Sequence, residues 1–223
     1  MTAAGSAFER YRTRNSEEWL MRIGSEDAPA ILFVPPLFEE MNRTRALLAS
    51  IMRRLAGCGF GCWLPDLVGT GESLAPLSAA SLEDWRHDVK AASIHITEKS
   101  GYSPVVASLR GGSLLDDSAS AIGWWRMSPA DGFSLARDMK RARLAGVEWA
   151  GYEPSEALKA DLEAAKPMAV APLRTVQLQS HAGQADARLP GPALWRRSEP
   201  GNSEELAEAA AADLSSWARS CAG

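Results

Sequence analysis

Residues 108–115, SLRGGSLL, set two hydroxyls on either side of an arginine within a run of small residues. Ser108 and Ser113 are the groups a nucleophilic mechanism would recruit, but a serine attacks only with a base at hand. The chain holds three histidines, His87, His95 and His181, and none follows position 181. Arg110 itself carries only donors and stays protonated, so it cannot attack a carbonyl. It can bind: a guanidinium fork and the Gly111 N–H at the head of a helix form a receptor for a small carboxylate or phosphate. Glu39, Glu40 and Asp131 each follow an apolar run, and any of them could neutralise Arg110, because a half-buried charge needs a partner. That ion pair and ligand binding can coexist. Trp125 and Trp195 bring large apolar faces that either line a pocket or pack the core. Asp186 is the one acid near His181, and the pair reads as a displaced base with its carboxylate or as two solvated loop residues. His87 and His95 fall outside the apolar stripe of their helix and read as surface residues.

No cofactor or metal is implied. Gly69 and Gly71 lack the lysine of a phosphate-binding loop, and Cys58, Cys62 and Cys221 form no C-x-x-C pair and read as reduced thiols, two of them flanking a buried strand. The 24 Lys and Arg against 28 Asp and Glu leave a net charge of −4, without the basic excess that nucleic acid selects. The basic run Arg137, Lys140, Arg141 and Arg143, with Asp138 among them, reads as a solvated helix face or a dock for an acidic partner. The longest apolar stretch, residues 29–38, is interrupted by Pro35 and Pro36, too short for membrane insertion. Charges from Glu9 to Arg14 leave no room for a secretory leader, so a cytoplasmic location is expected.

These groups need elements to hold them. At 223 residues the chain can bury a core without staples, and residues 1–223 read as one domain. Two short strands flank Arg14–Ser16 within residues 7–23, and residues 30–34 form an apolar strand of the kind covered on both faces. Leu48, Ile51, Met52 and Leu55 recur at helical spacing and stop at Gly57. A strand at 60–64 ends at Pro65. Ser81 and Asp84 form a capping box ahead of the stripe Leu82, Trp85, Val89, Ala92 and Ile96. Strands are expected at 102–109, 122–127, 174–179 and 193–196, a short helix at 113–121, helices at 133–145 and 155–166, and a last helix capped by Asn202. Alternating strands and helices imply a mostly parallel sheet with helices on both faces.

The initial hairpin, residues 64–73 (LPDLVGTGES) and the strand–turn–helix at 105–115 resemble the α/β-hydrolase fold. The stretches FVPPLFEEMNRTR (33–45), SLRGGSLL (108–115), SPADGFSLARDMKRARLAG (128–146), EWAGYEPSEAL (148–158) and LPGPALWRRSE (189–199) resemble, more narrowly, the bacterial exosortase A system-associated hydrolase 2 family of exopolysaccharide loci. The fold places its nucleophile on a strained turn between small residues. Centred on Arg110, that rule finds Ser108 before and Gly112 and Ser113 after; centred on Ser108, it finds Arg110 where a small residue is required. Arg110 therefore occupies the nucleophile position, and the C-terminal histidine of the fold is missing. The resemblance implies an α/β-hydrolase domain with a short or absent cap, acting as a ligand-binding or accessory protein. The alternative is a hydrolase of esters, thioesters or amides that recruits Ser108, Ser113 or His181.

Overall fold

The structure, a computed structural model, describes residues 5–142 and 149–222. Eight strands form one sheet in the order β1-β2-β4-β3-β5-β6-β7-β8. β1 (Ser6–Arg12), β2 (Glu17–Ile23) and β4 (Gly61–Pro65) pair antiparallel. β3 (Ala30–Val34), β5 (Val105–Leu109), β6 (Gly123–Met127), β7 (Leu173–Leu178) and β8 (Ala187–Leu189) continue the sheet in parallel from β4. All five residues of β3 are buried, as an apolar run in the middle of a sheet covered on both faces must be.

Alternation along the strands divides the core between the two faces. Ile31, Phe33 and Ala107 pack with α1 (Glu39–Gly57) and α5 (Glu204–Ala222). Leu32, Val34 and Val106 pack with α2 (Leu82–Ser100), α3 (Gly132–Arg141) and α4 (Glu156–Ala164). The capping box at α2 is reciprocal: Ser81 Oγ accepts the Asp84 N–H at 3.0 Å, and Asp84 Oδ2 accepts the Ser81 N–H at 3.1 Å. Gly101, at φ 75°, closes that helix in the left-handed conformation.

Several expectations are corrected. Residues 113–121 form no α-helix; two 3₁₀ turns, Arg110–Leu114 and Asp116–Ser118, replace it. Asp116 turns inward to bond the core, and Gly111 and Gly112 are poor helix formers. Arg110 consequently has no helix N-terminus behind it. Residues 193–196 are not a strand: Pro190 and Pro192 break the run, Leu194–Arg196 is a 3₁₀ turn, and the edge strand is Ala187–Leu189. The cap of α5 is Ser203, whose Oγ accepts the Leu206 N–H at 3.3 Å, while Asn202 bonds the Glu204 side chain. The helix expected at 133–145 is Gly132–Arg141, and Arg143 lies outside the described residues. Cys62 lies within β4, where burial pushes its thiol up. His95 is not a free surface group, since its Nε2 lies 2.6 Å from Glu9 Oε1 and ties α2 to β1. Among the described residues no helix is long and apolar enough to cross a membrane.

Candidate functional site

The site is built where β5 ends. Arg110 follows its last residue with φ 54°, a left-handed conformation costly for a side chain of this size. Close packing holds the turn: a Cβ at Gly112 would lie 2.6 Å from the Val34 carbonyl oxygen, and one at Gly111 would lie 2.9 Å from Leu135 Cδ2. Small residues are therefore required on one side of Arg110, which is the steric signature of a nucleophile elbow.

Instead of a hydroxyl the turn presents a sealed ion pair. Arg110 is 9% exposed. Its Nε and Nη2 both donate to Glu40 Oε1, at 3.1 and 3.0 Å, and its Nη1 reaches the Ser128 carbonyl oxygen at 3.4 Å. Glu40 sits in the first turn of α1, aimed inward because the chain turns at Phe38, itself at φ 54°. Burial pushes the Glu40 carboxyl above its usual range, against the pull of Arg110. The Trp195 ring lies over the guanidinium, 5.2 Å from its carbon, and His181 meets Trp195 edge-on at 5.7 Å between centroids. Desolvation, then Arg196 and Arg110, lower the His181 pKa, so the imidazole is neutral at pH 7. Glu40 Oε2, Trp195 Nε1 and Ser128 Oγ are buried with no hydrogen-bond partner.

Of the residues singled out in the sequence, the structure brings Arg110, Glu40, Trp195 and His181 together. Glu39 pairs with Arg43 at 3.5 Å and accepts from Asn42. Asp131 caps α3 by accepting the Ser134 N–H at 2.7 Å, the bond that chiefly lowers its pKa. Gly111 is buried against Leu37 and Leu135. Trp125 is core on the α5 side, with its Nε1 donating to Asp213 at 2.7 Å. Asp186 precedes β8, at the end of the sheet away from Arg110, and accepts the Thr175 N–H. Ser108 donates to Asp116 at 2.6 Å, and Ser113 donates to the Arg110 carbonyl at 2.8 Å. Both hydroxyls are thus committed as donors within the protein.

Sequence reasoning missed the partner of Ser108. Asp116, fully buried, takes Arg126 through both oxygens, at 2.8 and 2.6 Å. A charged residue inside the apolar run GWWRM was the available signal, since a buried arginine demands a carboxylate. It also missed a cleft of about 400 Å³ beside Arg110 and Glu40, rimmed by Arg43, Arg137, Arg141 and Arg196 with Glu39 and Asp138. Among the described residues Arg196 makes no ion pair, and no cluster of three His, Cys, Asp or Glu could hold a metal.

No family profile and no curated protein matches the chain. Solved structures do. A thermophilic esterase from Thermogutta terrifontis, solved with malate, aligns over 96% of this chain and 99% of its own at a TM-score of 0.62 and 15% identity. Est1E from Butyrivibrio proteoclasticus, solved with ferulic acid, aligns over 76% of this chain and 77% of its own at 0.60 and 12%. The match to an epoxide hydrolase from Vigna radiata spans only 40% of that enzyme and 55% of this chain, at 0.43 and 16%. With the strand order and the strained turn after β5, the likenesses to the two esterase-type structures, at TM-scores of 0.62 and 0.60, give the chain an α/β-hydrolase fold.

Proposed function

We propose that this chain is a hydrolase-fold protein that binds a ligand or serves as an accessory component instead of turning over an ester. The observation that carries the reading is the elbow residue: Arg110 is locked to Glu40 beneath Trp195. Hydrolases of this fold carry nucleophile, acid and histidine in that chain order. The loops after β5, β7 and β8 here carry Arg110, His181 and Trp195. The elbow position thus holds a guanidinium with only donors in place of a nucleophile, and the histidine position holds an indole, which offers no basic nitrogen. The ligand is a small anion, a carboxylate or phosphate, held in the adjoining cleft by Arg43, Arg137, Arg141 and Arg196. Arg196 above all supplies the charge, because Glu40 already neutralises Arg110, Glu39 pairs with Arg43 and Asp138 with Arg137. Residues 1–223 work as one domain in the cytoplasm, and the stretches at 33–45 and 128–158 support a link to exosortase and exopolysaccharide systems.

A second reading draws on His181. It is held neutral at the elbow side of the sheet, so it can serve as a base that activates water against an ester, thioester or amide. Two measurements on the purified protein separate the readings. The first expects a rise in melting temperature with millimolar phosphate or carboxylates that Arg196→Glu removes. The second expects no hydrolysis of activated p-nitrophenyl esters above that of His181→Ala. Turnover lost in His181→Ala would replace the first reading with the second.

A further inference from the structure

The two edges of the sheet are finished differently. β8 is three residues long and stops at Pro190, which leaves little backbone for another strand to pair with. β1 is seven residues long, contains no proline, and pairs one to one with β2 from Ser6–Ile23 to Arg12–Glu17 without a bulge. No described strand lies on its other side. The hairpin fixes the phase of its ladder, because the Thr13 N–H donates to the Ser16 carbonyl oxygen at 2.9 Å. Bonded and unbonded positions alternate along an antiparallel pair, so Ala7, Glu9 and Tyr11 bond β2, while Ser6, Phe8 and Arg10 turn their N–H and C=O groups outward. The Trp19 carbonyl, opposite Arg10, agrees with this phase, since it faces β4 and accepts the Asp66 N–H at 2.8 Å.

Charges commonly guard such an edge, but here they are engaged inside the chain. Glu9 lies between His95 at 2.6 Å and Lys99 at 3.6 Å. Arg10 stacks on Trp19 at 4.1 Å and donates to the Glu17 carbonyl oxygen at 3.0 Å. Phe8 stands 60% exposed on the face that carries α1, at the end of a cross-strand row with Met21 and Leu64. We propose that β1 pairs antiparallel with β1 of a second copy of this chain, about a two-fold axis at Phe8. A two-fold axis normal to a sheet sets the central residue opposite itself. Centred on Phe8, ring meets ring, Glu9 lies opposite the partner's Ala7 and Arg10 opposite the partner's Ser6. No like charges meet, every outward group of Ser6, Phe8 and Arg10 finds a backbone partner, and the apolar row runs on into the second copy. Other registers are poorer. Centred on Glu9, Arg10 or Arg12, like charges face each other; centred on Tyr11, Arg10 faces Arg12; centred on Ala7, Phe8 faces Ser6. An edge that satisfies itself in one register selects a copy of itself. No residue of β1 lines the cleft at Arg110, so the proposal stands or falls apart from the reading of the elbow.

Sedimentation velocity of the purified chain tests the pairing. A ladder this short sits at the small end of specific interfaces, so the mass should climb from monomer toward dimer as concentration rises through the micromolar range. Phe8→Lys and Phe8→Glu, changes at an exposed side chain, should each stay monomeric with an unchanged circular dichroism spectrum, because each sets like charges face to face at the axis. An equimolar mixture of the two variants should recover the dimer, since opposite charges then meet there. Variants that dimerise like the wild type, or a mixture no more dimeric than its components, would each overturn the assignment. A wild type that stays monomeric throughout would overturn it too and leave the edge to a strand of another protein.

Discussion

Arg110 and Glu40 meet through a single oxygen: Nε and Nη2 both donate to Glu40 Oε1, while Oε2 stays buried with no partner. The carboxylate thus depends chiefly on this guanidinium, with a smaller share from Arg43, so removing either partner of the pair strands a charge. Arg110→Ala is expected to lower stability by about 3 to 5 kcal/mol. The double change Arg110→Met with Glu40→Leu should recover most of that loss, because no charge is then left buried. Urea denaturation of the three proteins measures both; an Arg110→Ala midpoint equal to the wild type would show that the pair is not held in solution.

A fluorophosphonate is expected to label no serine, because the Ser108 and Ser113 hydroxyls are committed to Asp116 and to the Arg110 carbonyl. Arg110→Ser combined with Glu40→Gln places a hydroxyl on the strained turn without stranding a carboxylate. It should still be nearly inactive toward activated esters, and adding His181→Ala should change nothing, since His181 packs against Trp195. Mass spectrometry and ester hydrolysis provide the readouts; labelling at one mole per mole would contradict both expectations.

Much of this was legible in the residues, and the limits are physical. β3 and α2 follow from local rules, a continuous apolar run and a capping box, and both stand as read. Arg110 was identifiable because the small-residue rule at an elbow is a packing rule, which Gly111 and Gly112 obey. Which acid would neutralise it was not legible. Glu39, Glu40 and Asp131 look alike in sequence, and the choice rests on the turn at Phe38, which aims Glu40 inward and leaves Glu39 to Arg43. The missing helix after the elbow has a similar cause, since Asp116 obeys a partner on another strand, Arg126.

Asp88 offers a titration test. It is 2% exposed and accepts the Val68 N–H at 2.8 Å. Burial, with Glu18 and Asp84 nearby, raises its pKa to about 6, against the Val68 bond and His87. A carboxyl whose folded pKa exceeds its unfolded value binds more protons when folded, so its contribution favours folding at low pH and fades as pH rises through 6. Between pH 7 and pH 4 it should add about 2 kcal/mol. Asp88→Asn keeps an acceptor for Val68 and removes the titration. Its stability should therefore vary less with pH across that window, by chemical denaturation, and an unchanged slope would refute the assignment.

The start of α5 gives a sharper local test. Ser203→Ala should cost about 1 kcal/mol, the worth of an N-cap, and Asn202→Ala should cost much less, because Asn202 bonds only an exposed glutamate side chain. Thermal melts of the two variants decide between them; the reverse order would return the cap to Asn202.

The pairing of α1 with α5 also matters while the chain is being made. Leu47, Leu48, Ile51, Met52 and Leu55 share one core with Leu206, Ala210 and Leu214, yet the stretch between the two helices, residues 58–203, must be synthesised before α5 follows. Until then the apolar stripe of α1 has only its strands for cover, so the nascent protein leaves the ribosome with one face unfinished. An incomplete face of that kind is what chaperones hold and what neighbouring copies adhere to. Yield in a cell should therefore depend on residues 204–222 far more than their distance from the elbow would indicate.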